Sequence, residues 1–433
     1  MKRLALVVAM VAFAAMSLVA ADKTVLKFLY YADSSQAGYA DDMASWAKFK
    51  ADNPDIDLQM EILFDRPYAQ KLTAYAAAGT VPDVVFMWPT TNEASSLLQS
   101  KKMMKDLKTV LPADFLKNFT AASLSPSAQT SGQLSELPQS FTFTTVMYAN
   151  VGLLKSLGLA VPKTYADLKA LVPKLRVKNV QTVLLPDADK WPAQSCLFST
   201  ISGRLLGDAW IDSVLAGKAK FTDKAFVDAL AFYGQMYTDG VINISNVQMG
   251  YGDGPGLFAA GKAAFIIDGD WRVGAYLTDK SNGKALIDPA KQASDFELLN
   301  FVAIPGEKNV NTASAIAGTG LGINKDLTGA KLDAAKRLLM FYYSKDVQTM
   351  KLETGAYIPT RTDVTSTKLE PLSQKQIKYY STVPKTTYVL DGALDPTVFG
   401  PLNDGLQGIA LGAQTPAEVA ALMQKAQDAL PKK

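Results

Sequence analysis

The 433-residue sequence predicts an α/β fold built from more than one domain, on three observations. From Thr24 onward, short apolar runs alternate with amphipathic helical segments, the pattern of parallel sheets with right-handed helical crossovers. A second α/β series begins after Leu137-Pro138. About 410 residues remain once an N-terminal leader is set aside, which length suggests two or three domain-sized units. A hydrophobic content of 48% is ample for sizeable cores.

The leader comes first. Lys2 and Arg3 precede an unbroken small-apolar stretch from Leu4 to Met16, and Ser17 to Ala21 then lead into the polar Asp22-Lys23. This reads as a secretory signal peptide over residues 1–21, cleaved at Ala20 or Ala21, because the apolar run is shorter than the roughly 20 residues that span a bilayer. The sole cysteine, Cys196, lies far from the cleavage region, so the thiol for bacterial lipid attachment is missing there. A single cysteine also excludes an intrachain disulfide. The mature chain is expected free in a periplasm.

In the first unit, Val25 to Tyr30 reads as a strand, and Tyr39, Met43, Trp46 and Phe49 recur at near-helical spacing until Asn53-Pro54 ends the helix. Ile56, Leu58, Met60 and Ile62 alternate as a second strand. A helix opening at Asp65-Arg66-Pro67 runs to Gly79, and Val84 to Met87 is a buried strand ending at Trp88-Pro89. Ligands of open α/β sheets collect outside the carboxyl ends of the strands. Tyr30 to Ser34, Phe64 to Arg66 and Trp88 to Asn92 share that edge.

In the second unit, Phe143 to Tyr148 reads as a strand, and Asn150 caps a short helix ending at Gly158. Thr164 with Asp167 signals another helix start, and Phe226 to Tyr237 and Asp270 to Leu277 read as helices around a strand at Ala263 to Ile267. Leu298 to Ile304 reads as an extended crossover back to the first sheet, followed by the glycine-rich Gly318 to Gly322 and a helix over Ala334 to Tyr343. Thr415-Pro416-Ala417-Glu418 is a capping box that opens a final helix.

Composition narrows function. The chain has no histidine, which removes serine triads, His-ligated zinc and imidazole acid-base chemistry. Its net charge of +3 loses two units with Lys2 and Arg3, giving no reason to invoke nucleic acid.

The order of these marks resembles the family 1 extracellular solute-binding proteins of ABC importers, the maltose-binding-protein-like, sugar-binding group. Phe49 with Asn53-Pro54, Tyr68, Lys71-Leu72, Ala78-Gly79 and Pro82-Asp83-Val84-Val85-Phe86 carry the densest likeness. Tyr148-Ala149-Asn150, Gly158-Leu159 with Pro162-Lys163-Thr164-Tyr165, and Phe258 to Ala264 with Gly269 and Trp271 extend it; Ala149 between Tyr148 and Asn150 departs from the family's adjacent pair. The resemblance implies a two-lobed, type II periplasmic-binding-protein fold, each lobe a mostly parallel sheet flanked by helices, joined by crossing hinge strands. It places residues 22–143 plus 298–345 in the N-terminal lobe and 144–297 plus 346–433 in the C-terminal lobe, with hinges near Phe143 to Met147 and Phe301 to Ile304. It implies a monomer without cofactors that binds a carbohydrate between its lobes and hands it to permease subunits in the inner membrane.

Sugars present apolar faces and a rim of hydroxyls, so their sites need aromatic platforms with carboxylates or amides. Trp88, at a strand end, and Trp271, matching the family's cleft tryptophan, fit best, the alternative for each being a packed core residue. Asp33 and Asp65 lie in the loops after the first two strands, where either could instead cap a helix. Tyr31 is their neighbour, and Tyr30 points the other way. Trp191 could face the cleft from the second lobe, Tyr251 stands as a mobile-loop candidate, and Gly318 could present its backbone N–H. Asp268 and Asp270 form the most enzyme-like pair. The paired tyrosines Tyr30-Tyr31, Tyr342-Tyr343 and Tyr379-Tyr380 leave open a ferric binder, although Tyr342-Tyr343 fits a helix core. A binder of metal, peptide or polyamine and a carboxylate-dependent glycoside-processing enzyme remain the other classes.

Overall fold

The computed structural model describes residues 23–88, 93–120, 123–124 and 133–430. The expected signal peptide and Pro89 to Asn92 lie outside the described residues. Along the chain the strands are β1 (Thr24–Tyr31), β2 (Ile56–Leu63), β3 (Val84–Met87), β4 (Leu137–Pro138), β5 (Phe141–Phe143), β6 (Val146–Asn150) and β7 (Gln181–Leu184). They continue with β8 (Ala263–Asp268), β9 (Thr278–Asp279), β10 (Lys284–Ala285), β11 (Phe296–Leu299), β12 (Thr312–Ala317), β13 (Gly320–Ile323) and β14 (Lys385–Thr387).

The first sheet has the order β2-β1-β3-β13-β4, and the second β11-β6-β8-β7. Helices α1 (Tyr39–Asp52) and α2 (Asp65–Ala78) provide the crossovers among β1, β2 and β3, which pair in parallel. Leu26, Phe28, Trp46, Leu72 and Val84 meet in one core. A second core gathers Leu168, Val183, Phe226, Phe265 and Leu402. Neither sheet is mostly parallel as expected: β2-β1-β3 in the first and β7-β8 in the second pair in parallel, whereas β13 joins β3 and β4, and β6 joins β8 and β11, antiparallel. The register shows why. Gly320, where β13 starts, lies opposite Met87, where β3 ends, and Val146 at the start of β6 lies opposite Asp268 at the end of β8. Each strand arriving from the other lobe enters at the carboxyl edge and has to run backwards.

Three local expectations change. The run Phe143 to Tyr148 is broken at Thr144-Thr145, because β5 pairs with β12 while β6 joins the second sheet. Leu298 to Ile304 is not the return crossover. Phe301, Val302 and Ile304 are buried in the second core, and the buried Arg204 guanidinium donates to the carbonyls of Phe301, Val302 and Thr312 at 2.9, 2.7 and 2.8 Å. The chain crosses at β12 instead, within a small sheet of order β14-β12-β5. Asp270–Ala275 forms a 3₁₀-helix, shorter than the helix expected to reach Leu277. The capping boxes at Thr164/Asp167 and Thr415/Glu418 are both complete. No helix of the described residues is long and apolar enough to cross a membrane.

Candidate functional site

The carboxyl edges of the two sheets face one another. Asp33, Asp65 and Trp88 follow β1, β2 and β3, while the turn from Asp187 to Trp191 follows β7 and Asp270 to Arg272 follow β8. Between them lies a cavity of about 470 Å³, and all eight residues singled out from the sequence line it: Tyr31, Asp33, Asp65, Trp88, Trp191, Tyr251, Trp271 and Gly318.

One wall is built on the first sheet. The Tyr31 ring stacks on Phe86 at 5.3 Å between centroids and meets Trp88 edge-on at 5.1 Å. Strand alternation sends Tyr30 to the opposite face, where its hydroxyl donates to Asp42 Oδ2 at 2.5 Å, although part of it still reaches the cavity. Asp33 closes its own turn, accepting from the Ser35 amide at 2.8 Å, the Ser35 hydroxyl at 2.7 Å and the Gln36 amide at 3.2 Å. Asp65 does not cap α2. It sits in the left-handed region with φ +51°, an uncommon conformation for a residue with a side chain. Burial and the nearby Asp189 charge raise its carboxyl pKa.

The facing wall is an aromatic cluster. Trp191 packs against Tyr251 at 4.7 Å and Trp271 at 6.1 Å. Tyr251 is held rather than mobile: its hydroxyl donates to Asp268 Oδ1 at 2.8 Å and accepts from Trp271 Nε1 at 2.5 Å, and the Arg272 guanidinium lies 4.1 Å from its ring centre. Arg272 Nε contacts Asp268 Oδ2 at 2.6 Å, with both side chains buried. The Trp271 indole lies so close to Gly269 that a Cβ there would stand 2.1 Å from the ring. Glycine is thus what lets this tryptophan approach the end of β8 so closely.

Other lining residues gave no sequence signal. Ser195 comes from a π-helical turn, Ala193–Phe198, and Asp391, Phe399 and Asn403 come from helices near the C-terminus. Thr144 lies at the break between β5 and β6. Asp270, first noticed as half of an acidic pair, lines the cavity with its carboxylate accepting from the Phe143 amide at 3.1 Å and from the Tyr380 hydroxyl. Burial pushes it up to about 7. Gly318 does not offer its N–H, which donates to the Ser140 carbonyl at 2.6 Å; a Cβ there would meet Ser140 Oγ at 2.2 Å. Of the paired tyrosines only Tyr30 and Tyr31 and Tyr342 touch the cavity, and Tyr343 and Tyr379 are buried with hydroxyls on the carbonyls of Leu137 and Thr145. Contacts bridge the mouth: Arg66 Nη2 to Asp189 Oδ1 at 3.2 Å, Lys280 Nζ to Asp41 Oδ2 at 3.4 Å, and the Ala37 amide to the Gly274 carbonyl at 3.3 Å.

Known proteins share this frame. The chain is 22% identical over 282 residues to a multiple sugar-binding protein of Streptococcus mutans, an alignment that covers 62% of this chain and 60% of that relative. A structure from a study of xylan utilisation by Caldanaerobius polysaccharolyticus superposes with a TM-score of 0.81 at 19% identity, covering 93% of this chain and 99% of the other. A chitin oligosaccharide binding protein gives 0.79 at 21% identity, covering 94% and 98%. Maltose-bound T. maritima MalE3 gives 0.75 at 18%, covering 94% and 99%, so the fold is the two-lobed type II periplasmic-binding-protein fold. The family model for bacterial extracellular solute-binding proteins matches residues 44–379. On that match, extending over well more than half of the sequence, the chain belongs to the bacterial extracellular solute-binding protein family.

Proposed function

We propose that this protein is the exported solute-capturing component of an ABC importer, holding a sugar or oligosaccharide between its lobes and delivering it unchanged to permease subunits in the inner membrane. The observation that carries this reading is the pair of facing aromatic walls, Tyr31 with Trp88 and Trp191 with Trp271, bordered by the carboxylates Asp33, Asp65 and Asp270. Flat rings suit the apolar faces of a sugar and carboxylates accept its hydroxyls. The similar proteins named for multiple sugars, chitin oligosaccharides and maltose support it.

The way the acidic pair is held supports binding without catalysis: Asp268 is engaged by Arg272 and Tyr251, and Asp270 by Tyr380 and the Phe143 amide. The packing favours a first lobe of residues 23–143 with 312–353 and a second of 144–311 with 371–430, hinged at Thr144-Thr145 and β12. The leader and the position of Cys196 favour a periplasmic, unlipidated protein.

A thermal-shift screen against mono- and oligosaccharides, with tryptophan fluorescence and chromatography of the recovered sugar, tests this. A ligand at about 100 times its dissociation constant adds roughly 2.7 kcal/mol and raises the melting temperature. A shift with at least one sugar recovered intact is expected. No shift with any sugar, or release of a cleaved product, contradicts the proposal.

A further inference from the structure

The charges lining the cavity do not balance. Its two cations are already neutralised: Lys351 Nζ lies 2.6 Å from Asp42 Oδ1, and Arg272 Nε lies 2.6 Å from Asp268 Oδ2, all four side chains being buried. Asp33, Asp65, Asp270 and Asp391 remain. Among the described residues, Asp33 and Asp270 are met by neutral donors only, from Ser35 and Gln36 and from Phe143 and Tyr380. Arg66, next to Asp65, turns its guanidinium to Asp189, which is itself a fifth carboxylate at the rim. Asp391 is 5% exposed, and its Oδ1 has no hydrogen-bond partner among the described residues. Residues 89–92, 121–122 and 125–132, outside the described set, contain no ionisable side chain.

Carboxylates enclosed away from water are costly unless a positive charge or a proton accompanies them. Burial indeed pushes Asp391 and Asp270 up to about 7. The protein supplies no spare cation here among the described residues, so these carboxylates are compensated either by a proton or by positive charge on the occupant, and a cationic occupant stabilises their ionised form.

We propose that the cleft selects a sugar bearing a positive charge, an amino sugar, over its neutral parent, and rejects the corresponding sugar acid. This rests on the sugar-binding reading above and narrows it.

Isothermal titration at pH 7 and low ionic strength tests it with gluco, galacto and manno sugars, each as the neutral sugar, the 2-amino sugar and the uronate, alone and as disaccharides. In whichever series binds, the amino form is expected about tenfold tighter than the neutral one and the uronate about tenfold weaker or worse, a scale set by a single charge in a partly shielded site. Asp65→Asn and Asp270→Asn, checked for folding by circular dichroism melts, are expected to shrink the amino-to-neutral ratio at least threefold. A uronate that binds as well as the neutral sugar, an amino form no tighter than its parent, or a ratio unchanged in both variants overturns this proposal and leaves sugar binding intact. Absence of binding by every sugar overturns the sugar reading itself, and this proposal with it.

Discussion

Tyr251 shows how much a single side chain holds at this site. Its hydroxyl receives the Trp271 indole N–H and donates to Asp268, while its ring lies under Arg272. Tyr251→Phe leaves the indole N–H without its partner and Asp268 Oδ1 with the Gly269 amide as its remaining close donor, which should cost about 1–3 kcal/mol of stability in chemical denaturation and loosen Trp271. Trp271→Ala and Trp88→Ala should each weaken sugar binding about tenfold or more in calorimetric titration, since a stacked ring is worth about 0.5–1.5 kcal/mol beyond the area it buries. Burial also sets a pH dependence. Glu136, Asp270 and Asp391 are raised to about 7 and Asp187 to about 8. Between the unfolded carboxylate value near 4 and those raised values the folded state holds more protons than the unfolded one, so stability falls as pH rises. Melting temperature should drop between pH 5.5 and 8, and a flat or rising profile would count against burial of these four acids. The acids and aromatics at strand ends were legible in the sequence because strand ends mark the binding edge of an α/β sheet. Asp391 and Asn403 were not, since nothing in a C-terminal amphipathic helix announces which turn meets a cavity built by residues far earlier in the chain.

At the level of elements, the connection between lobes decides what can move. Thr144 and Thr145 at the β5/β6 break both reach Ser314 Oγ in β12, at 2.7 and 2.8 Å, and Thr200 Oγ1 accepts from the Ser314 amide at 2.8 Å. This buried hydroxyl cluster ties the two crossing segments side by side. Ser314→Val removes the shared hydroxyl and crowds three others, and should lower stability by about 1–3 kcal/mol in denaturant titration. Sequence periodicity found β1 to β3 with α1 and α2 because each buries a regular face. It ran Phe143 to Tyr148 together as one strand because apolar content is unchanged where a chain leaves one sheet for another. It misplaced the return crossing for a similar reason: Phe301 to Ile304 has the composition of a strand, but the Phe301 and Val302 carbonyls are taken by Arg204, and Ala303 makes only an isolated bridge to Thr164 in the same lobe.

Across the whole molecule, two sheets present their carboxyl edges to one cavity, and among the described residues only a few polar contacts bridge its mouth. Arg66 is largely exposed, and its partner Asp189 belongs to the turn carrying Trp191. An exposed pair of this kind is worth about 0.2–1 kcal/mol, so Arg66→Ala should leave the melting temperature nearly unchanged. It should weaken ligand binding by no more than a fewfold if closure is driven by the ligand rather than by the bridge. The two-lobed frame was legible through the order of its punctuation, whereas the mixed pairing of the second sheet depends on strands that enter from the other lobe. The most direct test of the central claim is a crystal structure grown with whichever sugar raises the melting temperature. An intact sugar lying between the Tyr31–Trp88 wall and the Trp191–Trp271 wall is the predicted result; density for the sugar outside that cavity, or for a cleaved sugar within it, would contradict the account.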